Sequence, residues 1–282
     1  MALVCSAFTL IELLVVISIL GILAALTVPA FKNFGKSSVN LSASRQMLDA
    51  VARARQLAMS QRTTVYMVFV PTNFWNGNSG SWPNSWWSGP PGPGLTPAQK
   101  TAATNLCSDQ LSGYNFMAYG AMGDQPGQHA WHYLGSWQTL PDGAFIAQWK
   151  FGPSYLTNYV IDLVNGATYP VAGFQRTTGF IPFPTQDSPI ATTVTNLPYL
   201  AFNYLGQLTT EELTPAPLTR DAYVPLARGS VLPAVNPNKA LQFGNPDVAE
   251  MPPGNSTNIS YNLVHINWLT GRAVLEYHKM GP

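Results

Sequence analysis

The chain has 282 residues, of which 10% are charged and 12% aromatic, with 24 Pro, 23 Gly and a formal net charge of +1. That length accommodates an anchor helix and one sizeable globular domain with insertions, and argues against a second independent core. Few charges and abundant Pro, Gly and aromatic residues exclude a mainly helical soluble part: strands, turns and long loops are expected, in an extracytoplasmic setting.

The first predicted element is the apolar run from Phe8 to Pro29, which carries one carboxylate, Glu12, near its outer end. About 20 apolar residues at ~1.5 Å rise match a hydrocarbon core of about 30 Å, whereas the core of a signal peptide needs only ~7–15. A transmembrane helix over about residues 8–29 is expected, retained in the mature protein. A carboxylate in lipid costs on the order of 2.5–3.5 kcal/mol on insertion scales, so Glu12 asks for a partner or a function. The sequence near it offers no Lys, Arg or His.

The order Ala7-Phe8-Thr9-Leu10-Ile11-Glu12-Leu13-Leu14-Val15-Val16, followed by Gly21 and Pro29, resembles the processing and assembly segment of type IV prepilins and pseudopilins. The resemblance implies that a membrane prepilin peptidase cuts between Ala7 and Phe8 and methylates the new amine. It implies that Glu12 is the assembly carboxylate, paired with the Phe8 amine of an adjacent subunit. Other pilin or pseudopilin subunits are then the partners, in a homo- or hetero-oligomeric filament. The bacterial inner membrane stores the chain as a single-pass protein, and the filament is extracytoplasmic or extracellular.

The leader, residues 1–7, departs from the family in two respects. Ala rather than Gly precedes the cut, and no Lys or Arg supplies a positive-inside signal. The true start is expected upstream, the alternative being slow or absent processing. An ordinary signal anchor is the plainer alternative, disfavoured by the co-occurrence of Phe8-Thr-Leu-Ile-Glu12, Gly21 and Pro29. A lipid-modified Cys5 is disfavoured because Val4 stands where a small residue is needed. With the leader removed Cys107 remains alone, which excludes an intrachain disulfide and a Cys-based metal site, and a buried small residue is expected there.

One long helix is predicted from Phe8 to about Gln61, kinked or locally melted at Pro29 and loosened at Gly35. After Ser38 it becomes amphipathic: Leu41, Met47, Leu48, Val51, Ala54 and Ala58 recur at helical spacing and should lie on a sheet. Residues 32–62 also hold Lys32, Lys36, Arg45, Arg53, Arg55 and Arg62 against Asp49 alone. This basic collar meets lipid headgroups or acidic neighbours in one reading and is a solvated helix face in the other.

The β-branched and aromatic run Thr63–Val70, closed by Pro71, is the first strand of a head spanning residues 63–282. A helix rich in Ala and Arg followed by a strand resembles the H-type minor pseudopilin branch. Three short landmarks add to that likeness. They are the Leu140-Pro-Asp-Gly143 strand start, the strand-turn Tyr199–Leu208, and a last hairpin over Asn262–Glu276 that turns at Thr270-Gly271. The implied fold is α+β and pilin-like: a long helix, transmembrane then amphipathic, on an antiparallel sheet domain with loop insertions at about 71–130, 165–198 and 209–258. Within the first insertion, Thr96 and Pro97 read as the N-cap and first residue of a short helix ending at Asn105.

Trp75, Trp82, Trp86 and Trp87 fall within thirteen residues flanked by Asn, Ser, Gly and Pro. Such rings stack on sugars or anchor another subunit, or else fold back as a lid over the sheet. His129 and His132 with Asp124 lack a clear third ligand and read as surface or packing residues rather than a metal site. Family members can hold calcium through loop oxygens, but no spacing among Asp187, Glu211, Glu212, Asp221, Asp247 and Glu250 picks out a site. The triplets at Asn40, Asn255 and Asn258 fit glycosylation acceptors by sequence alone.

No phosphate-binding glycine loop, metalloprotease helix or nucleophile elbow is present, so the chain reads as a non-enzymatic filament subunit without a cofactor. The alternative is a low-copy tip or adhesin-like subunit whose head binds glycan, a surface or DNA. Arg272 and Lys279 are the only basic residues among the last forty, too few for a duplex-binding footprint.

Overall fold

The computed structural model describes residues 10–74, 97–120, 131–153, 156–162, 166–176, 181–182, 193–195, 197–210, 218–259 and 262–276, with the side chains of 22–38, 99–100, 176, 181–182, 193–195 and 259 outside the description. The chain divides into two units, residues 1–39 and 40–282. A helix spans Leu10–Gln61 and stays helical through Pro29 and Gly35, so the local melting expected there is not observed. One proline removes one backbone hydrogen bond and crowds one turn, which a helix of this length survives.

In the second unit, the residues of the helix that are buried are Ala43, Ser44, Met47, Ala50, Val51, Ala54 and Ala58. Met47, Val51, Ala54 and Ala58 of the predicted stripe lie on this face, and two of its positions are corrected. Leu41 is 41% exposed and Leu48 is only half-buried, while Ala43 and Ala50 take the inner face. Small side chains let a helix approach a sheet closely, so alanines join Met47 and Val51 on the contact line.

The first sheet has seven strands. Its main path runs Leu208–Thr209, Pro198–Phe202, Val65–Phe69, Gly113–Tyr119, Trp131–Tyr133, with Gln138–Thr139 and Gln175–Arg176 pairing off it. Val65–Phe69 is buried on both faces, as its unbroken apolar run demands. Register places Met67 opposite Phe116 and Phe69 opposite Tyr114 on one face. There the helix arrives: Gln46 donates to the Tyr114 hydroxyl at 3.1 Å and the Arg53 guanidinium lies 5.5 Å from the Phe116 ring centroid. The other face packs Tyr66, Val68, Met117, Trp131 and Tyr199 with Leu106 and Cys107. Leu106 and Cys107 come from the 3-10 turn Leu106–Asp109, which follows a helix over Pro97–Asn105. Burial, reinforced by Asp109, pushes the Cys107 thiol up to about 12, as suits a packing residue.

A second, five-stranded sheet has the order Asp247–Glu250, Ala222–Leu232, Leu263–Ile266, Ala273–Leu275, with Ala144–Ile146 also on the long strand. Thr157–Asp162 pairs antiparallel with Thr168–Ala172 and parallel with Asn258–Ile259 in a third sheet, and Ile181–Pro182 pairs with Thr193–Thr195.

The segments expected as loop insertions therefore contain strands. Gly113–Tyr119, within 71–130, is an interior strand of the first sheet, and Ala222–Leu232, within 209–258, is an eleven-residue strand. Thr168–Ala172 falls in 165–198. Gly113 and Asn115 obscure the first of these and Pro225 the second. Pro225 is tolerated because the long strand changes partner beside it. Ala222–Pro225 pairs with Leu263–Ile266, Leu226–Arg228 with Ala144–Ile146, and Gly229–Leu232 with Asp247–Glu250. A missing N–H costs little at such a junction.

Candidate functional site

Phe8 and Ala7, the predicted cleavage and methylation residues, lie outside the described residues. The described part of the helix begins at Leu10, two residues beyond Phe8, and includes Glu12. From Leu10 to Gly21 every residue is exposed, including Leu10 at 82% and Leu13, Ile17 and Leu20 at 58% each. An apolar helix exposed all round is built to be covered, by lipid or by other helices. Its one hydroxyl is satisfied internally, since Ser18 Oγ donates to Leu14 O at 2.8 Å. Among the described residues no helix is long and apolar enough to cross a membrane. The span predicted over 8–29 includes side chains 22–29, which lie outside the description.

The basic collar is partly committed to the head. Arg53 stacks on Phe116, and Arg55 Nε donates to Thr270 O at 2.8 Å, while Arg45 and Arg62 are exposed. Lys32 and Lys36 fall among the undescribed side chains. Trp75, Trp82, Trp86, Trp87, Asp124 and His129 lie outside the described residues, as do Asp187, Glu211 and Glu212. His132 is half-buried in the strand Trp131–Tyr133. Glu250 is bound to Ser256, whose hydroxyl donates to it at 2.6 Å. Among the described residues no group of three His, Cys, Asp or Glu is placed to hold a metal ion. Asn255, one of the glycosylation triplets, uses its Nδ2 to bond Arg228 O at 2.7 Å and Pro252 O at 2.8 Å. A glycan on that nitrogen would break this brace.

Two polar arrangements escaped the sequence reading. His265, on the last hairpin, lies between carboxylates, with Nε2 2.7 Å from Asp221 Oδ2 and Nδ1 2.5 Å from Glu276 Oε1. Its ring stacks on Tyr223 at 4.7 Å. Both ring nitrogens are spent on this bridge, so the triad ties the hairpin to residue 221 and leaves no nitrogen for a substrate.

Lys150 is the other. It sits in the 3-10 turn Gln148–Phe151, only 3% exposed, and its Nζ donates to Ala172 O at 2.6 Å. Burial first, and Arg220 second, bring its ammonium down to about 7. Its neighbours Trp149 and Phe151 hinted at burial. Nothing local indicated a cavity beside it.

Above about 7 the folded chain releases the Lys150 proton, while the unfolded chain keeps its own up to the ordinary lysine value of 10.5. The unfolded state then binds more protons, so stability rises with pH across this window. Cys107 acts in the opposite direction only above 9.0, where the unfolded thiol ionises and the buried one does not. Between these limits Lys150 is expected to add about 1–3 kcal/mol. Denaturant unfolding at pH 7 and pH 9 checks this, and Lys150→Met should flatten the rise. An equal rise in the variant contradicts the assignment.

Residues 4–28 match the prokaryotic N-terminal methylation motif. The match supports a type IV pilin-like protein, a class that is generally structural rather than enzymatic. Comparison with curated proteins and with solved structures returns no significant match.

Proposed function

We propose that this chain is a structural subunit of a type IV pilus-like or type II secretion pseudopilus filament, held in the membrane as a prepilin and assembled through its N-terminal helix. The observation that carries the reading is the methylation motif over residues 4–28, which contains Phe8 and Glu12. The exposed apolar helix that follows supports it, because such a surface needs lipid before assembly and other helices afterwards. Prepilin peptidase removes residues 1–7 and methylates Phe8. Glu12 then pairs with the Phe8 amine of a neighbour, which neutralises both charges as the helix leaves the membrane.

Within this class the chain reads as a minor subunit close to the H-type pseudopilins. The strand Val65–Phe69 following an Ala- and Arg-rich helix supports that placement, as do the Gly206 turn after Phe202 and the final hairpin through Gly271. A head with this many strands crowds a helical array, which favours low copy number. Quantitative mass spectrometry of purified filaments tests both points. The chain should be present at a small fraction of the major subunit. Equimolar abundance would overturn the minor role, and absence from the filaments would overturn the subunit reading.

A further inference from the structure

Two turns of matching composition stand side by side in the head, Asn203-Tyr204-Leu205-Gly206 and Asn267-Trp268-Leu269-Thr270-Gly271. Each is braced by its asparagine: Asn203 Oδ1 accepts the Leu205 and Gln207 N–H groups, and Asn267 Oδ1 accepts the Thr270 N–H, all at 3.0 Å. The Leu208 N–H joins the turns by donating to Trp268 O at 2.9 Å, and Arg55 Nε ties the helix to them through Thr270 O at 2.8 Å. Asparagine and glycine account for the shape of both turns, and nothing in that shape calls for leucine. Yet Tyr204, Leu205 and Leu269 are all more than half exposed. A Cβ on Gly206 would stand 3.2 Å from the Met59 sulfur, which places the exposed Met59 at the same surface.

The charge contributed by these segments has one sign. Residues 50–63, 203–208 and 266–272 contain no Asp or Glu. Arg62, just past the helix, and Arg272, at the end of the second turn, are exposed, and among the described residues no carboxylate pairs with either. Asp221 reaches the second turn but is engaged there, by the Trp268 N–H at 2.8 Å and His265 Nε2 at 2.7 Å. Tyr, Met and Arg are enriched at protein interfaces, and braced turns lose little conformational freedom when covered. Anionic lipid is recognised by clusters of about 4–8 Lys or Arg, more than the two unpaired guanidinium groups here. We propose that the paired turns and Met59 form a docking surface for another protein, one that presents apolar side chains flanked by carboxylates. The surface lies in the second unit and does not require the filament reading.

The test places a photoreactive benzophenone side chain at Leu205 of the full chain, irradiates the cells that make it, and maps the adducts by mass spectrometry. Adducts are expected on one protein, at a segment that carries apolar side chains next to Asp or Glu. Like charges set against each other across an interface are strongly unfavourable, so Arg62→Glu and Arg272→Glu should each lower the adduct yield at least about tenfold. Exchange of the partner's carboxylates for lysine should restore it. The same photoreactive side chain at Tyr159, exposed on the three-stranded sheet, gives the background. Arg62 lies outside the two turns, so its variant keeps the test valid if Arg272→Glu disturbs their fold. Adducts on lipid or on a second copy of this chain, a yield unchanged by both Arg variants, or no more adduct than at Tyr159 overturns the proposal.

Discussion

Glu12→Ala is expected to leave the chain in the membrane and to reduce its incorporation into filaments at least tenfold. In the proposed membrane-held prepilin, removing this carboxylate relieves an insertion cost on the order of 2.5–3.5 kcal/mol, so anchoring is not weakened. Assembly responds in the opposite sense. In the proposed contact the Glu12 carboxylate faces the Phe8 amine of a neighbour, and deleting one member of a buried pair strands the other charge at a cost of about 3–5 kcal/mol. At about 1.4 kcal/mol per decade, even half of that exceeds tenfold at one interface. Glu12→Gln keeps the shape without the charge and should fail similarly, which separates charge pairing from packing. The measurement is the ratio of chain in membranes to chain co-sedimenting with filaments. Unchanged incorporation of both variants would sink the proposed contact.

Gly271→Ala is expected to destabilise the head by about 3–4 kcal/mol, a loss of the size reserved for a specific mechanism. Gly271 has φ +61°, and a Cβ there would stand 2.0 Å from Gly206 O. Two turns meet at this point, Asn203–Gln207 and Asn267–Arg272, joined by the Leu208 N–H donating to Trp268 O at 2.9 Å. The helix joins them through Arg55 and Thr270. A methyl group must part the turns and loosen these bonds, in addition to about 1–2 kcal/mol for a left-handed alanine. At about 2–4 °C per kcal/mol, the melting temperature should fall by about 10 °C. Gly166→Ala is the control: φ is +72° but no atom lies within 4 Å of its Cβ, so only the backbone penalty applies. Equal melting of the two variants would show that the contact between the turns contributes nothing.

What the chain reveals locally and what it conceals have separate physical causes. Val65–Phe69 is legible because a strand covered on both faces is continuously apolar, and the hairpin through Gly271 because a left-handed turn residue interrupts two alternating runs. Gly113–Tyr119 and Ala222–Leu232 are concealed by Gly, Asn and Pro residues that ordinarily end strands. They survive here because neighbouring segments supply partners at those positions. The helix face misleads for a related reason. Hydrophobicity points to Leu41, whereas close approach to the sheet selects Ala43 and Ala50.

The same division holds for function. Phe8, Glu12 and the apolar run form a contiguous segment whose chemistry is read from its order. Lys150 and the His265 bridge exist only through tertiary packing: Lys150 becomes buried when the turn Gln148–Phe151 meets Ala172, and His265 is bridged when the last hairpin reaches Asp221. Neither has a spacing to announce it.

The claim on which the rest depends is that the chain is processed as a prepilin, and intact-mass analysis with N-terminal fragmentation of the membrane-extracted protein tests it most directly. A mature chain that begins at N-methylated Phe8, with residues 1–7 removed, is expected. A chain that retains Ala7 joined to Phe8, or begins at an unmethylated residue elsewhere, would contradict it.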